Sequence, residues 1–375
     1  MAKVKLGNVA KEYKETCKED KADYPIIGLE HLIPKEVKIS RWDEGKETTF
    51  TKMFRKGHML FGRRRAYLKK AAMVSFDGIC SGDIIVIEAL PDKLHPELLP
   101  FIIQNEYLFD FAVGKSAGTL SPRVKWENLC NYEFNLPDIE EQKEIAKILW
   151  AMEDTKNAYK NLLFTTDELI KMYFLELFGH PIHNQFNWPV VKLSEIADYF
   201  IGLTYKPSDV SDEGTVVLRS GNIQEGILSF DDIIRVNKKI NEKLFVKEND
   251  ILMCSRNGSA SLVGKVAKIQ KLSEKMTFGT FMTVIRSDYF DYLYYYFHFK
   301  FFKFQITSEK TTTINQVTKA MLNTIEIPMP SEYSLRQFSE IIKHIGEVKT
   351  VTKDSLIKLK KMNRSFEDEI LNKTK

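Results

Sequence analysis

Cysteine is scarce in this sequence. The 375-residue chain has four, Cys17, Cys80, Cys130 and Cys254, far apart and without a C-x-x-C pair, which argues against a zinc ribbon or a disulfide framework and fits a reducing, cytoplasmic setting. Proline (12) and glycine (18) are too few for a low-complexity chain. No apolar run approaches the roughly 20 residues that cross a bilayer. The densest stretch, residues 289–304, is broken by Asp291, His298, Lys300 and Lys303. The opening MAKVKLGNVAKEYKE has no apolar segment of the secretion-signal kind. Charge of one sign is lacking too: 55 Lys and Arg against 51 Asp and Glu leave a formal +4, which permits nucleic-acid binding without requiring it. Apolar residues are plentiful at 43%, with 25 Phe and 15 Tyr, enough to build two or three globular domains.

The chain resembles itself. Val4 to Val9 (VKLGNV) matches Val191 to Ile196 (VKLSEI), Lys56 to Leu60 matches Glu248 to Leu252, Gly118 to Ser121 matches Thr312 to Asn315, and Leu129 to Pro137 matches Leu322 to Pro330. The common order and near-constant offset point to two copies of one unit. Each copy reads as a mixed segment of strands and turns followed by a long helix. Strands are expected at Tyr24 to Ile27, Met73 to Phe76 and Ile84 to Glu88, and again at Thr215 to Leu218, Ile251 to Cys254, Gly264 to Ile269 and Phe281 to Ile285. Aromatic-rich helices are expected at Pro96 to Phe111 and Phe290 to Phe304, where the rings are read as core packing rather than cofactor stacking.

Asp138, with Glu141 three residues on, reads as the N-cap of a helix that meets no Pro or Gly before Phe178-Gly179. Written as heptads, its a positions are Ile145, Met152, Tyr159, Thr166 and Tyr173, and its d positions Ile148, Thr155, Leu162, Leu169 and Glu176. The second copy repeats the register, with Phe338, Ile345, Thr352, Leu359 and Phe366 at a, and Ile341, Val348, Ser355, Met362 and Glu369 at d. A helix of about 40 residues is on the order of 60 Å long, more than one small domain covers. An antiparallel coiled-coil pair is therefore expected, its chain reversal lying between Gly179 and Pro189. The alternative is two amphipathic helices, each packed on its own domain.

Familiar catalytic signatures are missing. Gly258 to Lys265 (GSASLVGK) imitates a phosphate loop, but five residues separate its glycines and Val266 stands where a Ser or Thr binds magnesium. Asp138, Glu141 and Lys143 share one helical turn and are read as capping and a solvated face. The His180/His183 pair has no third ligand nearby, so no metal site is expected. No dinucleotide fingerprint follows a strand. The Asn/Asp-Pro-Pro-Tyr/Phe tetrapeptide of amino-methyltransferases is also absent; Asn135-Leu136-Pro137-Asp138 comes nearest.

Donor-rich turns occupy equivalent places in both copies. Arg63, Arg64 and Arg65 align with Ser255-Arg256-Asn257, and Lys115, Ser116, Ser121, Arg123 and Lys125 with Lys310, Thr311, Asn315, Gln316 and Lys319; Arg219 joins the second set. Arg reads guanine and Asn reads adenine bidentately in the major groove, and Lys and Arg also neutralise phosphates. Recurrence favours a ligand over mere solubility. The change of identity between copies suggests two related ligands.

Together these features resemble the DNA-specificity (S) subunit of type I restriction-modification enzymes. The likeness spans essentially the whole chain and rests on the duplicated Val-Lys-Leu starts, Lys56 to Leu60 and Glu248 to Leu252, the Thr-Leu-Ser and Thr-Ile-Asn segments, the Leu-Pro and Met-Pro junctions, and Leu177-Phe178-Gly179-His180-Pro181 joining the halves. His58 departs from the acidic residue of the second copy, and Ser334 to Gln337 is a looser version of Glu141-Gln142.

The resemblance implies an α/β (mixed α+β) protein with pseudo-twofold duplication. Target-recognition domains are expected at 1–137 and 181–330, the second including a linker at 181–190, with long spacer helices at 138–180 and 331–375. It implies a non-catalytic, cytoplasmic subunit that reads a bipartite double-stranded DNA target with half-sites about one turn, or about 34 Å, apart. The chain itself would hold no cofactor. Two methyltransferase subunits using S-adenosylmethionine, and motor/nuclease subunits using ATP and Mg, are the partners expected to supply the chemistry. A self-contained DNA methyltransferase or nuclease, and a coiled-coil scaffold without a nucleic-acid role, are the competing readings.

Overall fold

A computed structural model describes residues 2–371 except 19, 46, 300–301, 304 and 307–315. Two compact units emerge, residues 1–162 with 352–375, and residues 163–351.

In the first unit, strands β1 (Ala2–Lys5), β2 (Ala10–Glu12), β3 (Ile26–Ile27), β4 (Lys52–Phe54), β5 (Met59–Gly62), β6 (Ala71–Met73), β7 (Gly78–Cys80), β8 (Ile84–Ala89) and β9 (Glu133–Leu136) are formed. The antiparallel sheet β2-β8-β5-β6 is the centre. It is covered on both faces, which explains why Ile84 to Ile87 of β8 are apolar at every position. Ile85, Ile87 and Ala89 enter one core with Met59, Phe61 and helix residues Phe101, Ile102 and Phe109. Ile84 and Val86 enter a second core with Leu60, Ala72, Ile27 and Phe54. Successive side chains thus take opposite faces. The second core lies under the small sheet β3-β7-β4, in which β3 and β7 are parallel.

The second unit contains β10 (Val190–Lys192), β11 (Asp198–Ile201), β12 (Val210–Ser211), β13 (Thr215–Leu218), β14 (Ile223–Gln224), β15 (Ile227–Leu228), β16 (Ile234–Val236), β17 (Ile251–Cys254), β18 (Val266–Lys268), β19 (Met276–Phe278), β20 (Met282–Arg286) and β21 (Glu326–Pro328). Its central sheet, β11-β20-β17-β18, repeats the order and antiparallel pairing of the first. The outer pairs β1–β9 and β10–β21 match as well, Lys5 facing Glu133 and Lys192 facing Glu326. The duplication read from the sequence is therefore a duplication of topology. The copies diverge in the outer sheet. The parallel pair β13–β19 corresponds to β3–β7, but β13 also pairs with β16, β16 pairs with β12, and β14–β15 forms a separate hairpin.

Local boundaries differ from the sequence reading. The strand expected at Met73 to Phe76 is Ala71–Met73, that at Tyr24 to Ile27 is Ile26–Ile27, that at Gly264 to Ile269 is Val266–Lys268, and that at Phe281 to Ile285 is Met282–Arg286. The helix expected at Pro96 to Phe111 is interrupted at Asn105, whose backbone is extended and whose side chain accepts the Tyr107 N–H at 2.9 Å, capping a new helix at Glu106–Gly114. The helix expected at Phe290 to Phe304 forms over Phe290–Tyr296; residues 300, 301 and 304 of that range lie outside the described residues.

The long helices run Ile139–Phe178 and Glu332–Leu371. Asp138 caps the first, its carboxylate accepting the Glu141 N–H at 3.0 Å. In the first unit Ile145, Ala146 and Leu149 share a core with Phe366 and Ile370. In the second unit Ile170, Phe174 and Phe178 share a core with Phe338 and Ile345, the Phe178 and Phe338 rings lying 4.9 Å apart. The start of each helix meets the end of the other, so the pair is antiparallel. The register needs correcting. The a rows are buried or half-buried, but Ile148, Thr155, Leu162, Leu169 and Glu176 of the first d row are all exposed, as are Val348, Met362 and Glu369 of the second; Ile341 and Ser355 are half-buried. The second seam row is instead e, with Leu149, Leu163, Ile170 and Leu177 on one helix and Ile342, Leu356 and Ile370 on the other. Apolar doublets such as Ile148-Leu149 and Leu162-Leu163 satisfy either register, and packing selects e. Among the described residues no helix is long and apolar enough to cross a membrane.

Candidate nucleic-acid interface

In the first unit β5 ends at Gly62 and delivers the arginine run to a junction of three segments. The Arg63 N–H donates to the Asp83 carbonyl (3.0 Å) and the Arg63 carbonyl accepts from the Val124 N–H (3.0 Å). Arg64 forms a β-bridge with Arg123, and the Arg65 N–H donates to the Pro122 carbonyl (2.8 Å). Two clusters about 60 positions apart in sequence therefore become one. Arg64 Nε donates to Ser121 Oγ at 2.6 Å. Arg123 grips the Asp83 carboxylate with Nε at 2.7 Å and Nη2 at 3.4 Å, while Arg64 Nη1 lies 3.6 Å from it. The Arg123 fork holds the Asp83 carboxyl below its usual range, and Asp83 in turn raises Arg123. Arg63 Nε is buried with no hydrogen-bond partner. Arg65 is exposed, its backbone in the left-handed region at φ 54°. Lys115 follows the helix Glu106–Gly114 with its ammonium over the Phe111 ring, and Lys125 is exposed ahead of the short helix Trp126–Leu129.

The second unit repeats this junction. Ser255 and Arg256 follow β17, both donating their N–H groups to the Phe281 carbonyl (2.9 and 3.1 Å), and the Val317 N–H donates to the Ser255 carbonyl (2.7 Å). Arg256 bridges Gln316 as Arg64 bridges Arg123. Asn257 Nδ2 donates to Ser220 Oγ at 3.2 Å, which brings Asn257 to the end of β13, next to Arg219. Arg219 pairs with Asp232 at 2.9 Å through Nη2, yet its Nε is buried without a partner. The Arg256 guanidinium lies 5.5 Å from the Phe281 ring centre and Lys319 Nζ 6.0 Å from that of Tyr199. These side chains line a cleft of about 210 Å³ together with Gln316 and Ser255. The Tyr199 hydroxyl is buried and unpartnered, and burial pushes its ionisation upward.

A family model for the type I restriction modification DNA specificity domain matches residues 1–163 and again 186–361. The chain belongs to that family. The type I restriction enzyme MjaVIII specificity subunit of Methanocaldococcus jannaschii is 26% identical over 174 residues, and the EcoDI specificity subunit of Escherichia coli is 26% identical over 168. The matched stretches span 40% and 42% of this chain and 41% and 37% of those relatives. The fold also matches the crystal structure of the type I restriction-modification S subunit from M. genitalium, with a TM-score of 0.64 at 14% identity over 100% of this chain and 96% of that one. A second match is a chain from a structural study of complex assembly and conformational transition in the type I system, with a TM-score of 0.54 at 21% identity over 98% and 97%.

Within this specificity-domain fold the pairing of Arg64 with Arg123 and of Arg256 with Gln316 fixes the alignment of the copies. It corrects one correspondence: Lys125 precedes its helix as Thr318 precedes Lys319–Thr324, so Lys125 corresponds to Thr318 rather than to Lys319. Lys310, Thr311 and Asn315 lie outside the described residues. Among the described residues no group of three or more His, Cys, Asp or Glu side chains could hold a metal ion. Sequence reasoning missed Asp83 and Asp232, the acids that orient Arg123 and Arg219, and missed Tyr199. An isolated acid carries no motif, and only the fold brings it beside its arginine.

The departure at position 58 has a physical account. His58 Nδ1 accepts the Arg55 N–H at 3.1 Å, as Asp250 Oδ2 accepts the equivalent Lys247 N–H at 2.7 Å. Across the sheet from them stand Glu88 in the first unit and Arg286 in the second, each facing an edge-strand residue of opposite charge, Lys11 and Asp198. Backbone role is kept while charge polarity is reversed.

Proposed function

We propose that the chain is the non-catalytic specificity subunit of a type I restriction-modification enzyme, each unit reading one half of a bipartite duplex DNA target. The carrying observation is the recurrence, at the same place in both copies, of a backbone-pinned junction that presents arginine. In the first unit this presents Arg63, Arg64, Arg65, Lys115, Ser121, Arg123 and Lys125; in the second, Arg219, Arg256, Asn257, Gln316 and Lys319. Lys310 and Asn315 are carried as contacts by their place in sequence. Unpartnered Nε donors on Arg63 and Arg219 support the reading, because a buried donor without a partner is costly unless a ligand completes it.

On this reading methylation and cleavage belong to partner subunits, two methyltransferase subunits with S-adenosylmethionine and motor/nuclease subunits with ATP and Mg. The exposed apolar row Ile148, Leu162 and Leu169, with Phe164 and Met172 also exposed on the same helix, supports docking of such partners on the long helices. Mapping methylated adenines in cells that carry this chain and its neighbouring subunits tests the function. The expected result is one asymmetric split motif; Arg256→Ala alters only one half of it. Random methylation, or a motif whose two halves change together, refutes the assignment of one unit per half-site.

A further inference from the structure

Leu120 is 92% exposed. Ordering an apolar side chain in water gains nothing, yet its loop is pinned on several sides. Ala117 and Arg123 exchange backbone hydrogen bonds at 3.0 and 2.9 Å, the Pro122 carbonyl accepts from Arg65, and Ser121 Oγ accepts from Arg64. Gly118, at φ +113°, makes a turn that L side chains rarely adopt. The residues flanking Leu120 are Thr119 and Ser121, both polar. At the base of the loop stand Arg64, Arg65 and Arg123, opposed by Asp83.

A rigid apolar point set among cations suits a distorted duplex. The cations neutralise the phosphates on either side, and the apolar group enters between neighbouring base pairs and partly unstacks them. From this geometry we infer that Leu120 is a DNA wedge in the first unit, inserting at one base step of the half-site that unit reads. The inference rests on the DNA-reading role proposed above and adds to it a site of deformation, so that sequence at that step is selected by its flexibility as well as by its edges.

The test uses the full chain. Duplexes are selected from a randomised pool by the wild-type protein, and 2-aminopurine is then walked through the selected half-sites. Wild type and Leu120→Met are expected to raise fluorescence at one step, and Leu120→Ala to abolish that rise. Leu120→Ala should also bind about tenfold more weakly with an unchanged salt slope, since no phosphate contact is lost. Equal binding and equal fluorescence with Leu120→Ala overturn the wedge and leave the DNA-reading role standing. Intact duplex binding with loss of a co-expressed methyltransferase subunit assigns the loop to a protein partner and also overturns it. Failure of the wild type to select any duplex overturns both readings.

Discussion

Replacing Arg286 with Ala strikes the buried pair that anchors β17 to β20. The Asp250 side chain is 1% exposed, and its two carboxylate oxygens each accept from Arg286 at 2.7 Å. Oδ2 also accepts the Lys247 N–H. Arg286 further donates to the Phe245 carbonyl at 3.3 Å and lies over the Phe200 ring. Without Arg286 the carboxylate stays buried with one backbone donor, a loss of about 3–5 kcal/mol for an ion pair broken from one side. Exchange of the β17 and β20 amides should quicken by roughly two to four orders of magnitude wherever they open with the unit. Replacing both partners, as Asp250→Asn with Arg286→Met, should restore more than half of the loss, because no unpaired charge remains. Denaturant titration of each variant with hydrogen exchange read on peptides of each sheet is the assay. An Arg286→Ala protein within 1 kcal/mol of wild type would show that the pair does not hold the sheet as argued. The stake is functional, since β17 carries Arg256 and Asn257 at its end.

Other outcomes follow from the same geometry. His58 is 7% exposed and burial lowers its pKa below the ordinary 6.5. A histidine lowered on folding contributes stability above its unfolded value and loses it as pH falls through the folded one, so the first unit should weaken below about pH 6.5, and a His58→Gln protein should lack that component in paired pH-dependent denaturation curves. Burial pushes Glu367 up to about 7 beside Glu153, Lys156 and Asn363. A raised carboxyl costs stability as pH climbs past its unfolded value, so Glu367→Gln should stabilise the first unit at pH 8 and not at pH 4, read by thermal melting. Asp83→Ala should free Arg64 and Arg123 from their acid; half-site selection is expected to relax by about 1–3 kcal/mol at the affected base while binding to unselected duplex is retained, both read by competition binding.

The duplication was legible in sequence because the central sheet tolerates little change. β5 and β17, buried on both faces, keep apolar residues at every position, and the Val-Lys-Leu starts keep their pairing with β9 and β21. The outer sheet was not legible. Its strands are two to four residues long, and the β13–β16 ladder of the second unit is represented in the first by a single antiparallel bridge between Ile26 and Asp43. The helix a row could be read, whereas d and e could not be separated, since Ile148-Leu149, Leu162-Leu163 and Leu169-Ile170 offer an apolar side chain to both faces. At the interface the composition of the two clusters was visible, but their meeting depends on backbone bridges between Arg64 and Arg123 and between Arg256 and Gln316. Backbone pairing leaves no signature in side-chain identity.

That last point bears on how such a chain diverges. The groups that hold each junction in place are mainly peptide N–H and C=O, common to any sequence, whereas side chains project from it: Arg64 and Arg256 are shared by the copies, while Arg65 becomes Asn257 and Arg123 becomes Gln316. Changing a projecting residue therefore leaves the scaffold's own hydrogen bonds intact, so readout can vary without loss of fold. Beneath the junctions the constraint is of another kind. In the second copy the buried Asp250 carboxylate is matched by Arg286, and losing Arg286 alone leaves that charge uncompensated; in the first copy the same backbone contact is made by His58, whose burial disfavours the charged form, and Glu88 pairs instead with Lys11. Recognition residues can vary singly without loss of the junction's backbone bonds, while Asp250 and Arg286 can be replaced without penalty only together.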